Sequence, residues 1–160
     1  MAGRVHHSAV HVRDMDSSLR FYRDGIGLEV LMDHVFEGDW PALFDAPSST
    51  LRSVFLGDPA HAEAGVVELV TFDGPALVTA GSSTPGTSAG TPDGGSSTAG
   101  TGFFLLSFYV DVDEVLTRLG ALGFGPARRI EQPAPTGPVS MACVYDPDGI
   151  RIELVGIPAR

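Results

Sequence analysis

His7-Ser-Ala-Val-His-Val-Arg-Asp-Met-Asp16 and the following Ser17-Ser-Leu-Arg-Phe-Tyr-Arg-Asp-Gly-Ile-Gly27 form the stretch of sequence that decides the fold. The same pattern returns as Leu105-Leu-Ser-Phe-Tyr-Val-Asp-Val-Asp113, followed by Glu114-Val-Leu-Thr-Arg-Leu-Gly-Ala-Leu-Gly123. Each copy has an alternating strand, an acidic residue that can cap a helix, an amphipathic helix and a terminating glycine. The sequence therefore predicts an internal repeat of two similar modules.

Each half of the chain also ends on an apolar strand that contains one carboxylate. These strands are Val67-Glu68-Leu69-Val70 and Ile152-Glu153-Leu154-Val155. When the first strands of the two halves are aligned, His7 falls opposite Leu105. The repeat therefore predicts a pseudo-symmetric cleft with polar side chains at three equivalent positions, His7, Glu68 and Glu153, and an apolar one, Leu105, at the fourth.

The remaining elements complete a βαβββ pattern in both halves. The predicted strands are Val5–Val12, Leu28–Val35, Leu51–Leu56, Val66–Phe72, Phe103–Val110, Ala127–Glu131, Met141–Tyr145 and Ile150–Val155. Asp14 or Asp16 is expected to cap the first helix, which stops at Gly25 or Gly27, and the second helix runs from about Asp113 to Leu122. We expect a loop at Trp40-Pro41. The fold class is α+β, with modules at 1–80 and 103–160.

Residues 81–102 separate the two modules and consist almost entirely of Gly, Ser, Thr, Ala and Pro. Such a segment cannot bury enough apolar surface to offset its ordering entropy. As a flexible coil it would span about 25 Å. We expect a flexible linker here, and a lid that orders over a ligand is the alternative.

Composition excludes several classes of function. The formal net charge of -10 argues against nucleic acid or an anionic membrane as partner, because both require a basic face. No apolar run is long enough to span a membrane, and the N-terminus lacks the apolar core of a signal peptide. The single cysteine, Cys143, excludes an internal disulfide framework. A cytoplasmic location is therefore the expectation.

Strand periodicity places the candidate site residues on shared faces. His7 and His11 share one face of the first strand, and Leu105, Ser107 and Tyr109 share the equivalent face of the second module. Buried carboxylates are paired, bound to metal or open to a solvated cavity. The structural alternatives are a hydrogen-bonded core histidine and ion pairs of Glu68 with Arg52 and of Glu153 with Arg128 or Arg151.

Three motifs resemble the vicinal oxygen chelate superfamily, which includes glyoxalase I, methylmalonyl-CoA epimerase, extradiol dioxygenases, and the fosfomycin and bleomycin resistance proteins. They are His7–Asp14, Phe21–Leu28 and Tyr145–Leu154. The resemblance implies two paired βαβββ modules that form a bowl-shaped, curved mixed sheet. It also implies a divalent metal held by the first and last strands of each module.

Carried over to this chain, the resemblance makes His7, Glu68 and Glu153 metal ligands. Leu105 occupies the fourth ligand position and cannot coordinate a metal. This departure disfavours the extradiol dioxygenases and the fosfomycin-resistance enzymes, which rely on a histidine there. The expected cofactor is a divalent ion such as Zn, Mn, Co, Ni or Fe, with more open positions than usual.

The leading functional hypothesis is a metal-assisted isomerase, epimerase or lyase that acts next to a carbonyl through an enolate. Glu68 or Glu153 would move the proton, and His11 and Tyr109 are further acid/base candidates. The substrate pocket is expected to include residues from both modules, namely Leu105, Ser107, Phe72 and Arg151. Arg151 is a candidate to orient an acidic group.

Two alternatives remain open at this point. One is a metal-free protein that binds a drug or metabolite, as bleomycin resistance proteins do. The other is metal-free acid/base catalysis by His7 or His11 together with Glu68. In every case the expected partner is a small molecule, and a homodimer is the default assembly.

Overall fold

The computed structural model describes residues 5–62, 65–73, 103–133 and 137–156. The first module comprises β1 (His7–His11), α1 (Met15–Leu19) continuing as a π-helix (Arg20–Ile26), β2 (Glu29–Glu37), α2 (Trp40–Phe44), β3 (Thr50–Gly57), a 3-10 turn (Pro59–His61) and β4 (Val66–Phe72). The second comprises β5 (Leu106–Val110), α3 (Val112–Ala121), β6 (Arg128–Gln132), β7 (Val139–Tyr145) and β8 (Arg151–Gly156). The α+β class and the paired βαβββ modules are confirmed. The predicted linker, 81–102, lies outside the described residues.

Each module forms a four-stranded mixed sheet with the same topology. The strand orders are β1-β4-β3-β2 and β5-β8-β7-β6, and the first and last strands of each module run parallel. Ala9 lies opposite Glu68 in the first sheet, and Ser107 lies opposite Glu153 in the second. His7 lies two residues before Ala9, and Leu105 lies two residues before Ser107. His7 and Leu105 therefore occupy equivalent positions in the two modules, as the sequence alignment predicted.

The helices begin and end through specific local contacts. The Asp14 side chain caps α1 by accepting a hydrogen bond from the Ser17 N–H at 2.6 Å, so Asp14 rather than Asp16 is the cap. Gly27 ends the π-helical stretch with a φ of 98°, a left-handed conformation that glycine adopts without strain. Within the described ranges, no helix is both long and apolar enough to cross a membrane.

Two sequence predictions differ from the structure. Trp40-Pro41 is not a loop but the start of α2, because the Asp39 side chain accepts a hydrogen bond from the Ala42 N–H and proline is tolerated in a first helical turn. Strand β5 begins at Leu106 rather than Phe103. Phe103 and Phe104 precede the strand and are exposed.

The two modules share one apolar core, in which the π-helical stretch packs against α3. The Phe21 ring of the first module meets the Phe124 ring of the second at 5.2 Å between centroids. The Arg118 guanidinium donates hydrogen bonds to the Gly25 and Ile26 carbonyls, both at 3.0 Å. The buried residues of both sheets and of their helices therefore belong to one common core.

A buried hydrogen bond ties the helix of the first module to the β7–β8 turn of the second. The Tyr22 hydroxyl donates to Asp146 Oδ2 at 2.8 Å, while Asp146 Oδ1 accepts from the N–H groups of Asp148 and Ile150. Asp146 is only 5% exposed. Burial raises the pKa of the Asp146 carboxyl above its usual range. The pKa of the Tyr22 hydroxyl is raised as well, first by its own burial and then by the neighbouring Asp146 carboxylate.

The contact between Tyr22 and Asp146 predicts a clear effect on stability. Tyr22→Phe should lower the free energy of unfolding by about 1–3 kcal/mol, because it leaves a buried carboxylate oxygen without its donor. Urea denaturation measures this loss. The matched control is Tyr109→Phe, since the Tyr109 side chain is 76% exposed and should tolerate the change. Equal stabilities of the two variants would contradict the assigned role.

Candidate functional site

The first half of the site is a hydrogen-bonded group on β1, β3 and β4. His7 Nε2 lies 3.1 Å from Glu68 Oε2, and the Ser53 hydroxyl donates to Glu68 Oε1 at 2.5 Å. The Glu68 side chain is 12% exposed, and Ser53 is fully buried. Both oxygens of Glu68 are thus occupied, and the carboxylate is fixed in one orientation beside the imidazole.

His7 is held on its other side as well. His7 Nδ1 lies 2.8 Å from His6 Nδ1, so one of these two nitrogens carries the shared proton. The His7 ring also packs edge-on against Phe55, with 5.3 Å between ring centroids. Strand alternation would send His6 to the opposite face, but β1 begins only at His7, which allows the two rings to meet. These contacts orient the imidazole toward Glu68.

The second half of the site repeats the serine–glutamate contact on the other sheet. The Ser107 hydroxyl donates to Glu153 Oε2 at 2.7 Å. The serine comes from the edge strand β5 here, whereas in the first module it comes from β3. Each sheet therefore presents one carboxylate that is positioned by a hydroxyl.

Among the described residues, neither carboxylate is paired with the arginines considered from the sequence. Arg52 Nη2 lies 2.8 Å from Asp33 instead of reaching Glu68. The Arg151 guanidinium lies over the Phe104 ring, 4.5 Å from its centroid. Structural ion pairing with arginine therefore does not explain why Glu68 and Glu153 interrupt apolar strands.

The other predicted site residues lie around these two centres. The His11 ring packs edge-on against Phe72, with 5.4 Å between ring centroids. Tyr109 is exposed on β5, on the same face as Ser107. Leu105 is half-buried just before β5.

A cavity of about 180 Å³ lies between the two modules, beside β1 and β5. It is lined by residues of both edge strands and of the start of β4: Val5, His6, His7, Ser8, Gly65, Val66, Val67, Leu106, Ser107 and Phe108. His7 and Ser107, each of which contacts one of the two carboxylates, thus meet at the same cavity. Of the predicted site residues, only His7 and Ser107 line this cavity. The lining does not include Glu68, Glu153, His11, Phe72, Leu105, Tyr109 or Arg151, so the predicted site is gathered at the cavity only in part.

The donor atoms fit a divalent ion incompletely. Two ligands that bind one ion at about 2.0–2.2 Å in adjacent positions lie about 3 Å apart, and the His7–Glu68 separation of 3.1 Å matches this. However, no group of three His, Cys, Asp or Glu side chains that could hold a metal occurs in the described part of the chain. Glu153 is on the other sheet and contacts Ser107 instead. The spacing of His7 and Glu68 is thus compatible with two ligands of one ion, and Glu153 stands apart from them.

Ser53 is the residue of this candidate site that the sequence did not identify. It lies in the strand Thr50–Gly57 and is completely buried beneath Glu68. A serine within an apolar strand has no periodic signature, because small polar residues occur on either face of a sheet. Its register opposite Val70, diagonal to Glu68, is visible only once β3 and β4 pair.

The contact between Ser53 and Glu68 gives the second prediction. Ser53→Ala should lower the free energy of unfolding at neutral pH by about 1–3 kcal/mol, since a largely buried carboxylate oxygen loses its donor. Ser107→Ala is the matched control, because it removes the equivalent hydroxyl from an exposed position and should cost less. Chemical denaturation of both variants measures the difference. A larger loss for Ser107→Ala would show that burial does not set the cost.

Comparison with known proteins gives consistent results. The family model described as the Glyoxalase/Bleomycin resistance protein/Dioxygenase superfamily matches residues 4–154. The chain is 33% identical to a lactoylglutathione lyase-like protein, terB, of Aspergillus terreus, over 96% of this chain and 75% of that protein.

Two solved structures share the fold at low sequence identity. A glyoxalase family protein from Bacillus cereus has a TM-score of 0.70 at 20% identity, covering 98% of this chain and 95% of its own. The trypanothione-dependent glyoxalase I of Leishmania major has a TM-score of 0.60 at 22% identity, covering 97% and 87%.

Proposed function

The chain belongs to the Glyoxalase/Bleomycin resistance protein/Dioxygenase superfamily, and from this membership we propose that it is a small-molecule enzyme that moves a proton next to a carbonyl group. One observation carries the proposal. His7 lines a cavity between the modules and is held against Glu68, which Ser53 fixes in turn. Isomerisation, epimerisation and lyase reactions through an enolate all begin with such a proton transfer.

We propose that His7 and Glu68 hold a divalent ion, with Glu153 as the third protein ligand when the site is complete. A histidine and two carboxylates suit Zn, Mn, Co, Ni or Fe. When bound, the ion supplies a Lewis acid that polarises the substrate carbonyl and stabilises negative charge on its oxygen. Leu105 leaves the fourth position open, which favours catalysis over a closed structural site.

Glu153 is also the proposed base, because one oxygen of a carboxylate can bind the ion while its other oxygen accepts a proton. Both Glu68 oxygens are engaged by His7 and Ser53, whereas hydrogen bonding from the described residues reaches only Oε2 of Glu153. Oε1 of Glu153 would take the proton from the carbon next to the carbonyl and, in an isomerisation, return it to the adjacent carbon on the same face. In an epimerisation, His11 or Tyr109 would deliver a proton to the opposite face. Ser107 holds the carboxylate during both transfers, and His11 and Tyr109 are the further donors in this proposal.

The similarity to a lactoylglutathione lyase-like protein supports the lyase and isomerase side of the proposal. That relative is named only as lactoylglutathione lyase-like, and we propose for this chain a small substrate with a carbonyl group. The cavity volume of about 180 Å³ accommodates the reacting part of such a molecule.

Hydrogen–deuterium exchange tests the proton transfer directly. We expect the protein in D2O, supplied with zinc, to exchange the proton next to the carbonyl in at least one member of a panel comprising acetoin, lactaldehyde, pyruvate and the methylglyoxal–glutathione adduct. Glu153→Gln should slow this exchange about 100-fold or more, the usual contribution of a general base. NMR of the substrate signal measures the rate.

The control for that experiment is Glu131→Gln, which removes an exposed carboxylate from β6 of the same sheet. It should leave exchange unchanged. Exchange at the wild-type rate in Glu153→Gln, or no exchange of any panel member by the wild-type protein, would contradict the proposed activity.

Metal content tests the ligand assignment separately. Protein prepared without a histidine tag or nickel resin, then incubated with zinc and desalted, should retain near-stoichiometric metal. His7→Leu, which copies the side chain found at Leu105, and Glu68→Gln should each lose most of it, because each removes one of a few ligands. His61→Leu is the control, since His61 is exposed and pairs with Asp58. Unchanged occupancy in both site variants would refute the assignment.

Exposed aromatic side chains on the second sheet favour a second candidate function, a metal-free protein that binds an apolar drug or metabolite. Phe104, Tyr109 and Tyr145 are all exposed on or beside this sheet. Under this alternative, ligand affinity would survive Glu68→Gln and Glu153→Gln, and neither exchange nor metal uptake would be seen. Metal-free acid/base catalysis would instead retain exchange in protein stripped of metal.

The assembly and the location of the protein are also proposals. We propose a homodimer, supported by exposed apolar side chains on the edge strand β2 and on α2. These are Val30, Met32, Val35, Leu43 and Phe44. A cytoplasmic location is supported by the single cysteine.

A further inference from the structure

Arg151 is an arginine held by aromatic rings at the start of β8. Its guanidinium lies 4.5 Å from the centroid of the Phe104 ring and 6.0 Å from that of the Tyr145 ring. Arg151 precedes Glu153 by two residues, so both side chains leave the same face of the strand. Cation–π contacts of this kind position a guanidinium without neutralising its charge.

By the repeat, Arg151 lies beside Leu105, the position at which this chain lacks a metal-coordinating side chain. In the first module, His7 lies opposite Val66, two residues before Glu68. Leu105 and Arg151 are the equivalents in the second module, two residues before Ser107 and Glu153. Compared with the first module, the second module therefore has Leu105 in place of a histidine and Arg151, a cation, in place of Val66.

Arg151 differs from most of the other arginines in the described part of the chain. The exceptions are Arg20, which donates to the Leu122 carbonyl, and Arg128. Five of the described arginines lie within salt-bridge distance of a carboxylate, namely Arg13, Arg23, Arg52, Arg118 and Arg129. Among the described residues, Arg151 has no such carboxylate. The chain has a formal net charge of -10, so carboxylates that could pair with an arginine are abundant. Because the Arg151 guanidinium lies against aromatic rings and not against a carboxylate, its N–H donors stay available for a ligand.

We propose that Arg151 binds a carboxylate of the substrate, so that the substrate class is a carbonyl compound that carries a carboxylate and a planar apolar body. The planar guanidinium fork matches the two oxygens of a carboxylate. The exposed parts of Phe104 (57%) and Tyr145 (44%) offer apolar surface to the body of the ligand. This inference rests on the proposed function in that it assigns the substrate of the same site.

Binding of matched probes tests the inference. We expect 2-naphthoate to bind the wild-type protein about tenfold or more tightly than 2-naphthamide, the scale of a charge-assisted hydrogen-bonded pair. Arg151→Gln should abolish that preference and leave the affinity for 2-naphthamide unchanged, and Arg151→Lys should retain only part of it. Isothermal titration or ligand-observed NMR measures the two affinities.

Arg129→Gln is the matched control, because it removes one positive charge from the same sheet on the face that meets Asp113 of α3. It should preserve the preference for the acid. Equal affinities of the two probes for the wild-type protein, no binding of 2-naphthoate at millimolar concentration, or an unchanged preference in Arg151→Gln would overturn the inference.

The same titration in Glu153→Gln separates this inference from the proposed function. If Arg151 binds the carboxylate, the preference for 2-naphthoate persists in Glu153→Gln whether or not that variant still catalyses exchange. Loss of the preference in Glu153→Gln, with the fold intact by circular dichroism, would show that Arg151 is not the anchor. If hydrogen–deuterium exchange survives in Glu153→Gln, the assignment of Glu153 as the base is contradicted, but the assignment of Arg151 as the carboxylate-binding residue is not affected.

Discussion

The structure depends on the burial of both helix-facing sheet surfaces in one shared core. Phe21 and Tyr22 are completely buried, and they lie on the π-helical stretch that packs against α3 of the other module. Their burial removes a large apolar area from water, which is the dominant favourable term in folding. Tyr22 adds a hydrogen bond to the buried Asp146, which fixes the turn from which β8 leaves. The position of Glu153 on β8 therefore depends on a side chain of the first module.

The sequence predicted much of the fold because strands and helix ends have strong local signals. Strand β4 has the predicted bounds, and Asp14 and Gly27 begin and end the first helical segment as their side-chain and backbone chemistry require. The helix α2 was missed, because Trp40-Pro41 favours a turn when the capping by Asp39 is not known. Its start depends on a side-chain cap that no periodicity reveals.

The site was less accessible from the sequence than the fold. Periodicity alone placed His7 and Glu68 on faces that the structure brings into contact. How far Glu153 lies from them depends on the packing of the two modules, which no periodicity reveals. The contact of Glu153 with Ser107 and the support of Glu68 by Ser53 both arise from strand pairing. The departure at Leu105 was visible at once, whereas the aromatic support of Arg151 required knowing where Phe104 lies before β5.

The parallel pairing of β1 with β4 links assembly of the site to the kinetics of folding. His7 on β1 reaches Glu68 on β4 only after the intervening helices and strands have closed a long loop of chain. Contacts of such large sequence separation form late and slow the folding of a domain. The edge strand that carries His7 is thus expected to dock near the end of folding, so in a partially folded chain Glu68 would keep Ser53 but lack His7. In this protein, the contact between His7 and Glu68 therefore forms only when the native topology of the first sheet is complete.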